Sequence, residues 1–371
     1  MNTFLKLSPQ NLSQLFMGLK SRNYTLIAPV LRDNTIVYGE VDSPEDLPIG
    51  WVDEQRPAFY RLSKENKGRY FGYHAAPQSW KRFLYPPQRS LFHVRRAGKS
   101  LSLNIDSSEQ AKYAFIGVRP CELSAIIVQD MVLNSEKYGD DEYRRRREDL
   151  FIVAVNCTES ADTCFCASLK TGPKAKNNFD LALTEVAVKG EHYFVVEVGS
   201  EKGSLVMGQV DASAATEQEV GDSLKLVRHA ENKMKKSLDT SDLAKLLSDN
   251  LEHPQWDNVA KRCLMCGNCT MVCPTCFCAA VEDITDLSGE EAERMQRWDS
   301  CFTMDFSRVA GGNFRITPKS RYRQWLTHKF SSWVDQFGTF GCVGCGRCIT
   351  WCPVGIDVTA EINSIRGEPS N

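Results

Sequence analysis

No cysteine occurs in the first 120 residues, and none falls between Cys166 and Cys263. Nowhere does an apolar run approach the roughly 20 residues of a membrane span. The start MNTFLKLSPQ has neither the basic stretch nor the long apolar run of a secretory signal, so the chain is expected in the cytoplasm. Charge of one sign is missing too: 45 Lys plus Arg face 47 Asp plus Glu. That balance leaves no basic field for nucleic acid or an acidic membrane surface. No G-x-G-x-x-G opens a helix after a strand, no Walker-type lysine loop is present, and no serine sits in a nucleophile elbow. The six histidines form no H-x3-H pair. Binding a nicotinamide or converting a substrate therefore falls outside what these residues offer.

Fifteen cysteines in 371 residues are present in their place. A composition of 42% hydrophobic and 25% charged residues is that of a globular protein with a sizeable core, and the length suggests two to three domains at ~150 residues each. An odd number of thiols in a reducing compartment argues against a disulfide framework and for ligands. Four lie between Cys121 and Cys166, and all the others between Cys263 and Cys352. Core-filling thiols would not cluster so strongly.

The first ~110 residues mix a helical pattern, NLSQLFMGLK, with strand-like TLIAPVL and TIVYGEV. AFIGV (114–118), LSAIIVQDMVL and FIVAV (151–155) then read as strand, helix, buried strand, a crossover unit with parallel strands. LTEVAVKGEHYFVVEV (183–198) reads as an antiparallel hairpin turning at Lys189 and Gly190. Near Gly221 the pattern becomes helical, in SLKLVRHAENKMKKSL and in SDLAKLLSDNLEH, with Ser241 a candidate N-cap. Strand-like runs are scarce beyond it, and EEAERMQRWDSCF and SRYRQWLTHKF read as helix-like. The expected fold is α+β: a mixed α/β domain over 1–220, then an alpha-helical ferredoxin-like domain over 221–371. The run Arg144 to Arg147, beside Asp140, Asp141, Glu142, Glu148 and Asp149, reads as a solvated, self-neutralised helix face.

Cys263, Cys266, Cys269 and Cys273, followed by Pro274, form C-x2-C-x2-C-x3-C-P. Cys342, Cys345, Cys348 and Cys352, followed by Pro353, repeat it. This is the bacterial ferredoxin spacing, in which the fourth cysteine of each run ligates the other run's cluster. One 4Fe-4S cluster is thus expected on Cys263, Cys266, Cys269 and Cys352, and a second on Cys342, Cys345, Cys348 and Cys273. Gly267, Gly344 and Gly346 let the backbone turn its N–H groups towards sulfur. Zinc is the rival, but zinc ribbons do not need the x3-Cys-Pro ending twice. Cys269, Cys273 and Cys276 also show the C-x3-C-x2-C spacing of radical S-adenosylmethionine enzymes, with too little chain after them for the usual barrel.

Parallel strands ending at Val118 and Val155 would bring Cys121 and Cys157 to one sheet edge, the usual place for a ligand in an open α/β sheet. With Cys164 and Cys166 they are expected to hold a third 4Fe-4S cluster; buried structural thiols or a small zinc site are the alternatives. Cys276, Cys278 and Cys301 are left over, with packing near the first cluster favoured over an additional site that includes Asp299. Trp298, Trp325, Trp333 and Trp351 read as core aromatics around the clusters.

GVRPCELSAI, VNCTESADTCFCASLKTGP, CGNCTMVCPTCFCAAVEDITDL, WDSCF, KSRYRQWLTHK and GCVGCGRCITWCPVGID together resemble the beta subunits of cytosolic sulfhydrogenases, the NADP-linked nickel-iron hydrogenases. They are also similar to the related electron-transfer subunit of anaerobic sulfite reductase. The resemblance runs from about Trp51 to the end, and Leu169-Lys170 stands where the family suggests Met-Gly. It implies a non-catalytic iron-sulfur subunit that relays single electrons between a flavoprotein NAD(P)H-oxidoreductase subunit and the small and large nickel-iron hydrogenase subunits. The alternatives are the same relay serving the sirohaem subunit of anaerobic sulfite reductase, and an iron-sulfur protein with a structural or regulatory task.

Overall fold

The computed structural model describes residues 3–74, 76–105, 111–188 and 190–367. Its centre is an eight-stranded sheet of β1 (Thr3–Leu7), β2 (Thr25–Arg32), β3 (Thr35–Glu40), β4 (Tyr113–Val118), β5 (Phe151–Val155), β6 (Leu181–Val188), β7 (Glu191–Val198) and β8 (Ser213–Ala214). The spatial order is β8-β1-β7-β6-β5-β4-β2-β3. β2, β4, β5 and β6 run parallel, as expected for β4 and β5, and the remaining pairs are antiparallel.

Period-two alternation splits each inner strand between two cores. Leu26, Ala114, Ile116, Phe151 and Val153 face the layer that holds Leu12, Leu15 and Phe16 of the helix Leu12–Lys20. Ile27, Phe115, Ile152 and Ala154 face Leu123 and Ile126 of the helix Pro120–Leu133. With both faces covered, β4 and β5 bury nearly every side chain, which is why they read as continuous apolar runs. The hairpin of β6 and β7 is as expected; Lys189, at its turn, lies outside the described residues.

A second sheet corrects two expectations. Ala279–Thr285, Glu291–Trp298, Gln88–Ala97 and Ser100–Asn104 form four antiparallel strands in that order. Strand structure therefore continues well beyond residue 221, and EEAERMQRW is a strand despite its helix-forming residues. Cross-strand pairing overrides their propensity: Arg294 meets Asp283 at 2.7 Å, Arg297 meets Glu282, and Glu291 meets Arg95 at 2.6 Å.

The helix Glu217–Asn232 opens with a capping box of Thr216 and Glu219 and runs through the place where the composition changes. At the next helix, Leu243–Asp249, Asp242 rather than Ser241 takes the N-cap position. Ser241 is instead turned back onto the Asp239 carboxylate. SRYRQWLTHKF is helical as expected, in Pro318–Thr327 and a wider π turn at His328–Ser332. These helices close a third core around Leu243, Trp256, Trp325, Phe330 and Ile362, and Cys263, Cys269, Cys348 and Cys352 pack against it. The arginine run is neutralised only in part by its own acids, with Arg144 on Asp141 and Arg146 on Glu142, whereas Arg147 pairs with Asp130 of the helix Pro120–Leu133 and Arg89 takes Asp140. Among the described residues no helix is long and apolar enough to cross a membrane.

Candidate metal centres

Each ferredoxin-type run folds into the same local shape. Two residues past the first cysteine, Met265 (φ 53°) and Gly344 (φ 63°) are left-handed, and two residues further Gly267 (φ 75°) and Gly346 (φ 76°) are left-handed again. A one-turn helix follows, Asn268–Met271 or Arg347–Thr350, and carries the third cysteine. The first loop turn directs a backbone N–H at sulfur: Met265 donates to Cys263 Sγ at 3.5 Å, and Gly344 to Cys342 Sγ at 3.4 Å. Ile356 N–H donates to Cys352 Sγ at 3.3 Å.

Two cavities lie between the runs. The first is lined by Cys263, Cys266, Cys269 and Cys352, with Cys348 at its border. The second is lined by Cys342, Cys345, Cys348 and Cys273. The fourth thiol of each run thus sits in the other run's cavity. Trp325, Cys348 and Val358 line both, so a wall one side chain thick separates them. Among the described residues no three His, Cys, Asp or Glu side chains close around a single ion-sized point. The thiols are set apart around cavities instead.

The chemistry of these walls fits an iron-sulfur group. Thiols supply the donors, and apolar side chains supply most of the remainder. Tyr322 Oη and Trp325 Nε1 belong to side chains lining the first cavity, and Arg347 Nη1 to one lining the second. All three are buried polar atoms without a protein partner among the described residues. Sulfide and thiolate sulfurs would satisfy such donors.

Electrostatics differ among the thiols. Burial holds Cys269 and Cys348 well above the ordinary thiol value, and it pushes Cys342 up to about 12. Ligation would have to displace those protons. Cys273 is the exception: a hydrogen bond from Cys276, then the Lys329 ammonium and Thr275, hold it well below the ordinary value. Lys329 Nζ donates to Cys273 Sγ at 3.3 Å, to Thr275 Oγ1 at 3.0 Å and to Gly341 O at 3.1 Å. Burial opposes the lysine's charge, but Cys273, Cys276 and Cys342 outweigh it and raise its pKa.

The parallel strands carry the remaining candidate ligands to one edge. Cys121 sits in the first turn of the helix after β4, and Cys157 follows β5 by two residues. Cys166 neighbours Cys164, Cys157 and Cys345, whereas Cys121 neighbours Cys166 and Cys345. The four thiols thus share one region whose border with the second cavity is Cys345. Burial raises all four, Cys164 to about 12, and the Arg119 guanidinium works against that rise at Cys157.

The loop carrying Cys164 and Cys166 is fastened to the second run. Phe165 N–H donates to Gly344 O at 2.9 Å, Thr171 Oγ1 donates to Val343 O at 2.8 Å, and the hydroxyls of Thr163 and Thr350 lie 2.9 Å apart. Arg347 and Glu122 form a fully buried ion pair at 2.5 Å, joining that run to the helix of Cys121. Tyr38 Oη and Trp80 Nε1 complete the bonding of Glu122, at 2.7 and 3.0 Å.

Of the four tryptophans, Trp325 separates the cavities and Trp333 packs beside Cys345. Trp298 and Trp351 stand further out, under Lys81 and against Tyr60. The buried cations Lys329, Arg347, Arg119 and Lys81 were not among the sequence candidates. A lysine in the apolar stretch WLTHKF, and arginines inside CGRC and just before Pro120-Cys121, are the signals that could have exposed them.

A profile of the family described as a 4Fe-4S dicluster domain matches residues 262–356. The chain is 31% identical over 368 residues to sulfhydrogenase 2 subunit beta of Pyrococcus furiosus, covering 98% of each chain. The similarity thus includes the first 50 residues, beyond the start near Trp51 that the motifs suggest.

Proposed function

The chain belongs to the family of sulfhydrogenase beta subunits, iron-sulfur subunits of a hydrogenase, and from that premise we propose that it is a cytoplasmic electron relay with three 4Fe-4S sites in series. When bound, each such group supplies one-electron exchange between 2+ and 1+ levels, at a potential set by hydrogen bonds to sulfur, charge and exposure. Cys263, Cys266, Cys269 and Cys352 hold the first site, Cys342, Cys345, Cys348 and Cys273 the second, and Cys121, Cys157, Cys164 and Cys166 the third. The part of the chain before the helix Glu217–Asn232 provides the third site, and the part after it the other two.

The observation that carries this reading is the pair of cysteine-lined cavities, each holding the fourth thiol of the other run and sharing the wall of Trp325, Cys348 and Val358. Cys345 extends the series, because it lines the second cavity and neighbours Cys121 and Cys166. The chain's own residues keep water from the middle of the series and place buried donors there. Cys266 is exposed and Cys345 buried, so the first site forms the solvent-facing end. In this reading one end exchanges electrons with a flavoprotein NAD(P)H-oxidoreductase subunit and the other with the small and large subunits of a nickel-iron hydrogenase.

Iron counting on anaerobically purified protein tests the number of sites: about twelve irons per chain is expected, and about eight would remove the third. Isolating the native complex tests its setting. Nickel and hydrogen uptake should accompany the chain; sirohaem and sulfite reduction would place the same relay elsewhere.

A further inference from the structure

Three thiols remain outside these sites, and they are not scattered. Cys278 immediately precedes the strand Ala279–Thr285, whose first residue pairs with Trp298, and Asp299 N–H donates to Cys278 O at 2.9 Å. The ladder sets Asp299 opposite Cys278, Cys301 follows two residues later, and the two thiols are close enough to act on one another. Arg321 Nη1 fixes the far side by donating to Cys301 O at 2.8 Å. Both thiols are only partly buried.

Two lysines and the Asp299 carboxylate surround Cys278. Lys81 and Lys329 both act on Cys278, and Lys81 Nζ is anchored on Cys276 O at 2.9 Å and Cys273 O at 3.3 Å. Cys301 neighbours Cys269 of the first cavity, and Lys329 touches Cys273 of the second. The pair is thus flanked by both.

We propose that Cys278 and Cys301 form a redox-active dithiol, a two-electron centre beside the one-electron relay; the proposal rests on the cluster reading above. Oxidation forms the Cys278–Cys301 S–S bond and releases two protons and two electrons. In the reverse step that bond breaks, each sulfur gains one electron and one proton, and two reduced iron-sulfur clusters each lose one electron. The contact with Cys301 and the two lysines, acting against burial and the Asp299 carboxylate, bring the Cys278 thiol down to about 7, which favours the thiolate that bond formation requires.

The test uses the full chain, purified anaerobically with its iron counted, and poised either oxidised or reduced before rapid alkylation. Peptide mapping of the wild-type protein should find the Cys278 and Cys301 peptides joined in the oxidised sample and separately alkylated in the reduced one. A reductive titration should take up about two more electrons per chain in the wild type than in Cys278→Ser or Cys301→Ser. Both cysteines freely alkylated in the oxidised wild type, with iron intact, would overturn the proposal. Loss of iron in both variants, with the wild-type peptides never joined, would assign the thiols to a metal and overturn it too. An iron count near zero in the wild type would overturn the cluster reading on which the relay rests. The wild-type mapping decides the matter even where a variant fails to fold.

Discussion

The two ferredoxin-type runs share one backbone trace and two very different settings. Where the first run has Met265, the second has Gly344, and both residues are left-handed. A side chain is tolerated at Met265 because Leu264 and Cys266 on either side of it face solvent. At Gly344 a Cβ would lie 2.7 Å from the backbone N and Cα of Cys166, and at Gly346 it would lie 2.4 Å from Thr163 O. The cysteine spacing therefore specifies the loop, and the choice of residue between cysteines records what the loop is pressed against. For the second run that is the loop carrying Cys164 and Cys166. The difference makes the two runs unequal parts of a relay, an outer end and a middle.

Adding a side chain on the buried side should have the largest effect. Gly344→Ala combines left-handed strain of ~1–2 kcal/mol with overpacking of ~1–3 kcal/mol, and should cost about 3 kcal/mol. It should also reduce iron at the second and third sites together. Met265→Gly should leave the iron content unchanged. Thermal unfolding and iron analysis of the two variants check this. Equal sensitivity at both positions would erase the distinction between buried and exposed runs.

Lys329 sharpens the same comparison, because it touches Cys273 and has no counterpart at Cys352 among the described residues. Removing a charge-assisted hydrogen bond worth about 1.5–3 kcal/mol corresponds to roughly 60–130 mV for a one-electron couple. Lys329→Met should therefore lower the potential of the second site by that order and leave the first in place, with Lys329→Arg restoring part of the shift. A redox titration followed by EPR reads both.

The smallest effect is expected at Lys170, which is left-handed (φ 57°) in the loop that presses on Gly344. This is where the family resemblance suggests glycine. Lys170→Gly removes strain at the cost of a more flexible unfolded chain, and should change stability by no more than about 1 kcal/mol, in the stabilising direction. Denaturant unfolding checks it.

The parts of the molecule written in local periodicity were legible beforehand. β4 and β5 are buried on both faces and show as apolar runs, and the cysteine spacings anticipate the loops around both cavities. What escaped depends on distant pairing. Glu291–Trp298 is rich in helix formers, and pairing on both sides, with Ala279–Thr285 and with Gln88–Ala97 some 200 residues earlier, holds it as a strand. For Lys329 and Arg347 the local sequence hints at burial, but their partners, thiols and Glu122, are visible only in the fold. The neighbourhood of Cys345 with Cys121 and Cys166 likewise exists only once the sheet edge meets the second run.

The central claim is that each run completes the other's site. EPR of reduced Cys273→Ser, set beside Cys266→Ser and Cys345→Ser as references for the first and second sites, tests it most directly. The account predicts that Cys273→Ser reproduces the change seen in Cys345→Ser and preserves the signal lost in Cys266→Ser. A Cys273→Ser spectrum matching Cys266→Ser instead would contradict it.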